Sequence, residues 1–166
     1  FNNIKVVGTP EIIEKARVII SNQDKPQKPV MISIKIWEVT KSQGFNVDEF
    51  LKKPEEQRFE MAKLLSAPRV LTLPGRKASI EIGKKNKKEL ENGIELEIFP
   101  VTLPDNLIQI DVRGKIVSEV FEAQNKLSQQ KKFASTFVIK PQYPFGYEVQ
   151  GGNSPMVLEF FVTRPE

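Results

Sequence analysis

Leu64-Leu-Ser-Ala-Pro-Arg-Val-Leu-Thr-Leu-Pro-Gly-Arg-Lys-Ala-Ser-Ile-Glu-Ile-Gly83 decides the fold of this chain, read with Val30-Met-Ile-Ser-Ile-Lys-Ile-Trp-Glu-Val-Thr40 before it. The first stretch is a short apolar lead, a Ser-Ala-Pro break, and two runs alternating apolar and polar residues around Pro74-Gly75. Alternation with period two is the signature of strands with one buried face, and Pro-Gly is a turn dipeptide. Arg69 to Leu73 and Ala78 to Ile82 are therefore expected to form a hairpin. In the second stretch Val30, Ile32, Ile34 and Ile36 share one face, and Met31, Ser33, Lys35, Trp37 and Val39 the other. A strand with apolar residues on both faces sits inside a sheet, or has a helix over its second face.

Working outward, Thr9-Pro10-Glu11 opens a helix: threonine suits the cap, proline the first turn and glutamate the positive end of the helix dipole. Ile12, Ile13, Ala16, Ile19 and Ile20 give it an apolar stripe. Asn3 to Val7 reads as a short strand before it, and Asp24-Lys25-Pro26 as its end. Lys41 to Lys63 is densely charged; its Pro54-Glu55-Glu56 start predicts a helix over about 54–65. Beyond Pro68 the pattern is all β. Strands are expected at Ile94–Ile98, Leu107–Val112 with continuation to Val120 across a bulge at Gly114, Phe133–Ile139 and Val157–Thr163. The fold class is α+β, mainly β: a strand–helix unit over residues 1–26, then an antiparallel β domain over 27–166 carrying one inserted helix and about seven strands.

Composition narrows the chemistry. A chain of 166 residues can bury ~68–70% of its unfolded surface, enough to fold without a staple. With 39% hydrophobic and 28% charged residues it reads as globular. It has no cysteine and no histidine, which closes thiolate and imidazole catalysis and the commonest metal sites. Glu81, Glu95 and Glu97 could gather on one sheet face, but such spacing is common in inert strands. No cofactor and no enzymatic activity are expected. The net charge of +4 is concentrated at Lys84 to Lys88, a surface open to an anionic envelope component. No aromatic or arginine pattern for nucleic acid accompanies it.

Five blocks, in this order, resemble the secretin family, the ring-forming proteins of bacterial outer-membrane secretion channels. Val6-Val7-Gly8-Thr9 with its helix looks like the end of the ring-building domain before the secretin core. Val30 to Thr40 looks like the first core strand, with its characteristic Glu38-Val39, and Leu65 to Val70 with Ala78 to Gly83 like the most specific core block. Gly93–Pro100 with Leu107–Val112 resembles the pair that follows, and Tyr147–Gly152 with Leu158–Pro165 resembles the closing strands. The resemblance implies a periplasmic or outer-membrane-associated place in the bacterial envelope, with copies of itself or other secretion-assembly proteins as partners. Secretins carry amphipathic membrane-lining strands between the first strand and the Ser-Ala-Pro block. Here that interval is charged and helical in pattern, so no membrane span is expected within this chain.

Two candidate sites follow. Tyr143, Phe145 and Tyr147, in a Pro/Gly-rich stretch, and Trp37 are candidates for a partner surface, since rigid aromatics supply contact area at low entropic cost. Trp37 has a second reading, packing beneath the Pro54 to Leu65 helix. Glu38, on the isoleucine face of its strand, would want a cation, and Arg69 or Arg113 could form a buried ion pair with it. An alternative to self-association is a monomeric envelope module binding a glycan, peptide or protein through the Gln142–Tyr147 loop.

Overall fold

The computed structural model describes residues 5–23, 27–40, 43–86, 89–122, 125–149 and 154–165. Strand β1, Val30–Val39, is buried on its even face from Val30 to Ile36 and on its odd face at Trp37 and Val39. Along one edge it pairs with β9, Met156–Thr163, from Met31↔Thr163 to Glu38↔Met156. Along the other edge two short strands follow each other: β3, Arg69–Thr72, opposite Val30 to Ser33, and β2, Ala62–Ser66, opposite Ile36 to Val39. Ser66-Ala67-Pro68 is the joint between them. Proline has no N–H for a ladder, but its carbonyl still accepts from the Ile34 amide at 2.9 Å. The chain thus changes register at Pro68 without leaving β1. Strand β8, Phe145–Val149, pairs with β9 and completes a five-stranded sheet.

The second sheet has four strands in sequence order: β4 Ala78–Asn86, β5 Glu89–Thr102, β6 Ile108–Glu122 and β7 Asn125–Ile139. Its two hairpins are long; β7 alone, at 15 residues, extends about 50 Å. Ile94, Leu96, Ile98, Ile108, Ile110, Val112, Phe137 and Ile139 on its inner face meet Val30, Ile32, Ile34, Ile36, Leu158, Phe160 and Val162 of the first sheet in one core. A second, smaller core lies on the outer face of the first sheet. There α2, Val47–Lys52, and α3, Glu55–Arg58, cover Trp37, Val39 and Val157 with Phe50. Asn46 caps α2, its side chain accepting from the Glu49 amide, and α2 rests on β8 at Gly146. A methyl there would run into Val47 and come within 2.8 Å of Leu51.

The structure departs from expectation at several places, each for a non-local reason. Arg69–Leu73 and Ala78–Ile82 do not pair with each other. Pro74-Gly75 carries the chain from one sheet to the other, with Gly75 at φ 77° and its amide donating to the Pro100 carbonyl at 2.7 Å. The helix expected over 54–65 ends at Arg58, and residues 62–66 are strand, because β1 offers Ala62 to Leu64 a ladder that a lone helix cannot match. Nine strands are present among the described residues, against about seven. Lys5 to Val7 form no strand, and Asn3, Ile4, Asp24, Lys25 and Pro26 lie outside the described residues. Helix α1, Pro10–Gln23, begins as expected, yet Ile12, Ile13, Val18 and Ile19 on it are exposed.

No bulge occurs at Gly114, whose ladder to Leu96 and Phe133 is continuous. The glycine instead leaves room for the Phe133 ring, which lies where a Cβ would be. Gly114→Ala should therefore cost about 1–3 kcal/mol by overcrowding, read as a lower urea midpoint with unchanged slope. A neutral result would mean that the ring swings clear at no cost.

Candidate assembly interface

The aromatics that the sequence offers as a partner surface fall into different environments. Trp37 is fully buried and edge-on to Phe50 and Phe59 at 5.4 and 5.3 Å, so it is a core residue and not a contact surface. Phe145 and Tyr147 point into the main core from β8. Phe145 stacks on Phe137 at 4.3 Å, and Tyr147 lies 6.0 Å from Phe133. They join the two sheets because β8 and β7 sit on the same side of the sandwich. Only Tyr143 of the three is exposed, at 58%, with the Lys140 ammonium 5.0 Å from its ring centre.

Glu38, Arg69 and Arg113 do not form a buried pair. Glu38 is half-buried, both arginines are exposed, and Arg69 lies opposite Ser33, five residues along β1 from Glu38. The buried pair is elsewhere. Arg58 at the end of α3 donates from Nη1 to Glu159 Oε1 at 2.8 Å, and Trp37 Nε1 donates to Oε2 at 2.9 Å. Arg58 also donates from Nε to the Lys53 carbonyl and from Nη2 to the Leu51 carbonyl, at 2.9 and 2.6 Å. It thereby closes the frayed C-terminal end of α2, whose last carbonyls lack intrahelical partners. The one legible hint was Glu159 itself, a single charge inside the apolar run Met156 to Val162.

The outer face of the four-stranded sheet is mostly polar, with Phe99 and Val138 exposed toward one end, and is ordered in rows. Ser79, Glu97, Arg113 and Ala134 lie across one row, and Glu81, Glu95, Lys115 and Lys132 across the next. Lys77 Nζ holds Glu97 at 2.6 Å; its hydrogen bond and charge, with help from Arg113, keep the Glu97 carboxyl below the usual carboxylate range. Lys85 pairs with Glu81, whose hydrogen bond raises the lysine above its ordinary pKa. Lys84 reaches Glu91 at 3.5 Å. Lys87 and Lys88 are outside the described residues. Among the described residues no cluster of three or more carboxylates is poised for a metal.

The edges of the two sheets differ in kind. On the first sheet one edge is broken at Pro68 and the other is the five-residue β8. Strands β1 and β9 are paired on both sides, so they offer no edge to another molecule. The second sheet ends in β4, nine residues, and β7, fifteen. Among the described residues neither has a strand paired on its outer side.

This arrangement is matched among solved structures. The type II secretin GspD of enteropathogenic Escherichia coli superposes with a TM-score of 0.56 at 12% identity, over 92% of this chain and 73% of that one. The secretin-domain β-barrel of InvG from the Salmonella SPI-1 injectisome gives 0.52 at 10% identity, over 96% and 69%. PulD, in the type II secretion outer membrane complex of Klebsiella pneumoniae, gives 0.55 at 9% identity, over 95% and 44%. The chain has the secretin fold. No family model matches it, and no curated protein matches it in sequence.

Proposed function

We propose that this chain is a non-catalytic, secretin-like structural part of the bacterial cell envelope, periplasmic or outer-membrane associated, that works by self-association in a protein secretion or pilus-type assembly. The observation that carries the reading is the pair of open edges on the four-stranded sheet of a secretin fold. A long unpaired edge is a row of unused amides and carbonyls, a template for another strand, and proteins that stay monomeric blunt such edges. The first sheet does so with a proline break and a short strand. The second has neither a proline nor a short strand at its edges and carries lysines there, Lys84 and Lys85 on β4 and Lys131 and Lys132 on β7.

Four is an even number of strands. In this antiparallel sheet β7 therefore runs opposite to β4, and β7 of one copy laid beside β4 of the next continues the same ladder. The outer face argues for a wall surrounded by water or protein. A lipid-facing barrel needs an apolar band about 25 Å tall, and a cation at the bilayer midplane costs about 2–4 kcal/mol. Lys77, Glu81, Glu97, Arg113 and Lys132 all lie on that face and are exposed. No described helix is long and apolar enough to cross a membrane.

Light scattering behind size-exclusion chromatography tests the proposal. Mass per particle should rise with concentration through the micromolar range, in buffer and in mild detergent. A strict monomer at high micromolar concentration under both conditions would overturn it.

A further inference from the structure

We propose that Arg113, Lys115 and Lys132, set around Ala134 on the outer face of the four-stranded sheet, form a binding site for a phosphate monoester carried by an envelope glycan. The inference goes beyond the self-association reading and holds for a single copy.

The register builds the site. Arg113 lies opposite Ala134, and Lys115 opposite Lys132, on the paired strands β6 and β7. Side chains two apart on a strand share a face about 7 Å along it, and cross-strand partners stand about 5 Å apart. The four residues thus mark the corners of one small cell, three of them cations and the fourth a methyl group. Ala134 keeps the cell hollow, since a longer side chain there would fill it. These residues, with Glu95 and Glu97, line a groove of about 300 Å³. Lys115 is half-buried, while Arg113, Lys132 and Ala134 are exposed.

The charges of the cell are unmatched. Setting Lys115 against Lys132 places like charges side by side, which destabilises a sheet. Of the three carboxylates in the same two rows, Lys77 holds Glu97 and Lys85 holds Glu81. Glu95 stands opposite Lys115 without closing an ion pair to it. Among the described residues no ion pair reaches Arg113, Lys115 or Lys132. One carboxylate therefore faces three cations.

What fits is an anion with more than a single charge. A carboxylate does not meet that need, and Glu81 and Glu97 are each satisfied by one lysine. A phosphate monoester carries about −1.5 to −2 at neutral pH and three strong acceptor oxygens, enough for two ammoniums and a guanidinium fork. A phosphodiester, as in a phospholipid headgroup, brings only one charge. One row further along, Phe99 is exposed and lies opposite Asp111. An aromatic face beside a carboxylate suits a sugar ring and its hydroxyl donors, which makes a glycan the carrier.

Glucose 1-phosphate is the probe, titrated calorimetrically with glucose as the control. It should bind, glucose should not, and affinity should fall as salt rises. Arg113→Gln and Lys132→Gln should each weaken binding by about two- to fivefold, the range of an exposed ion pair. Ala134→Glu, which puts a carboxylate into the cell, should abolish binding and leave the urea midpoint at or above that of the parent. Lys84→Gln, near the tip of the β4–β5 hairpin, removes the same charge elsewhere and should change nothing. Mixed vesicles of phosphatidylglycerol and phosphatidylcholine should not be retained at the same salt.

Equal weakening by Lys84→Gln and Lys132→Gln would reduce the effect to general attraction by a basic chain and overturn the site. Glucose bound as well as its phosphate, or vesicles retained without any response to glucose 1-phosphate, would overturn the ligand class. Silence toward glucose 1-phosphate at millimolar concentration, in a parent shown to be folded by circular dichroism, would overturn both while leaving self-association untouched.

Discussion

Replacing Arg58 by alanine should cost about 3–5 kcal/mol of folding stability, the range for stripping one partner from a buried ion pair. Domains of this kind hold roughly 5–15 kcal/mol in total, so the variant would be close to unfolding. Three losses coincide. The Glu159 carboxylate would remain in the small core with only the Trp37 indole N–H to solvate it. The carbonyls of Leu51 and Lys53 would lose their donors at the end of α2. The Phe50 ring would lose the guanidinium 5.5 Å from its centre. Burial without a partner is what makes each of these expensive, since every group here trades water for nothing.

The chain has one tryptophan, and it donates to this carboxylate, so urea unfolding followed by fluorescence reads the site directly. Removing both charges, as Arg58→Met/Glu159→Leu, should cost much less than Arg58→Ala, because no lone charge is left behind. The coupling between the two positions should appear in a double-mutant cycle as a term of order 1–3 kcal/mol. If Arg58→Ala unfolds within about 1 kcal/mol of the parent, the pair behaves like an exposed salt bridge. The geometry described for α2, α3 and β9 would then be wrong. Loss of Arg58 should also loosen α2 from Gly146, faster hydrogen exchange in residues 47–52 being the local signature.

How much of this was readable beforehand depends on the range of the interaction. The alternation of Val30 to Ile36 and of Ile94 to Ile98 is local and strict, and it places those residues in the main core as expected. Thr9-Pro10-Glu11 likewise starts a helix where its chemistry says. Pairing is another matter. Pro74-Gly75 announces a turn, but nothing in the dipeptide says whether the strands around it pair with each other or diverge into two sheets; β1 competes for Arg69 to Thr72 and wins.

Residues 62–66 carry Leu64 and Leu65 after a charged helical pattern, and only the open edge of β1 makes them a strand. Arg58 and Glu159 are 101 residues apart, so no window of sequence contains both. Phe145 and Tyr147 looked like loop aromatics because Pro144 and Gly146 flank them; their true neighbours, Phe133 and Phe137, are on β7. Of the row of charges across β4 to β7, Glu81 and Glu95 were legible as neighbours on one sheet face, while Lys115 and Lys132 join them only once four strands are in register.

Gly93→Ala should be the most damaging single methyl in the long hairpins. Gly83 and Gly93 face each other in the β4–β5 ladder, both at φ 138°, a region that residues with a Cβ avoid at a cost of about 1–3 kcal/mol. Their surroundings make matters worse. A Cβ on Gly93 would strike the Ile82 carbonyl oxygen, and one on Gly83 the Asn92 carbonyl oxygen, backbone atoms that cannot move without parting the strands. Gly75 is a useful control, because its φ of 77° has the same handedness problem but nothing lies within 4 Å of its missing Cβ. Gly75→Ala should therefore lose only the roughly 1–2 kcal/mol of left-handed backbone strain, and Gly93→Ala clearly more.

Among the described strands β4 pairs with β5 only, so the damage should spread along it: faster amide exchange from Glu81 to Asn86, and weaker self-association through the β4 edge. Urea midpoints for the two variants, taken with exchange rates along β4, decide the matter. Equal midpoints for Gly93→Ala and Gly75→Ala would mean that the strands do not approach as closely as this crease requires, and the edge on which the assembly reading depends would have to be placed elsewhere.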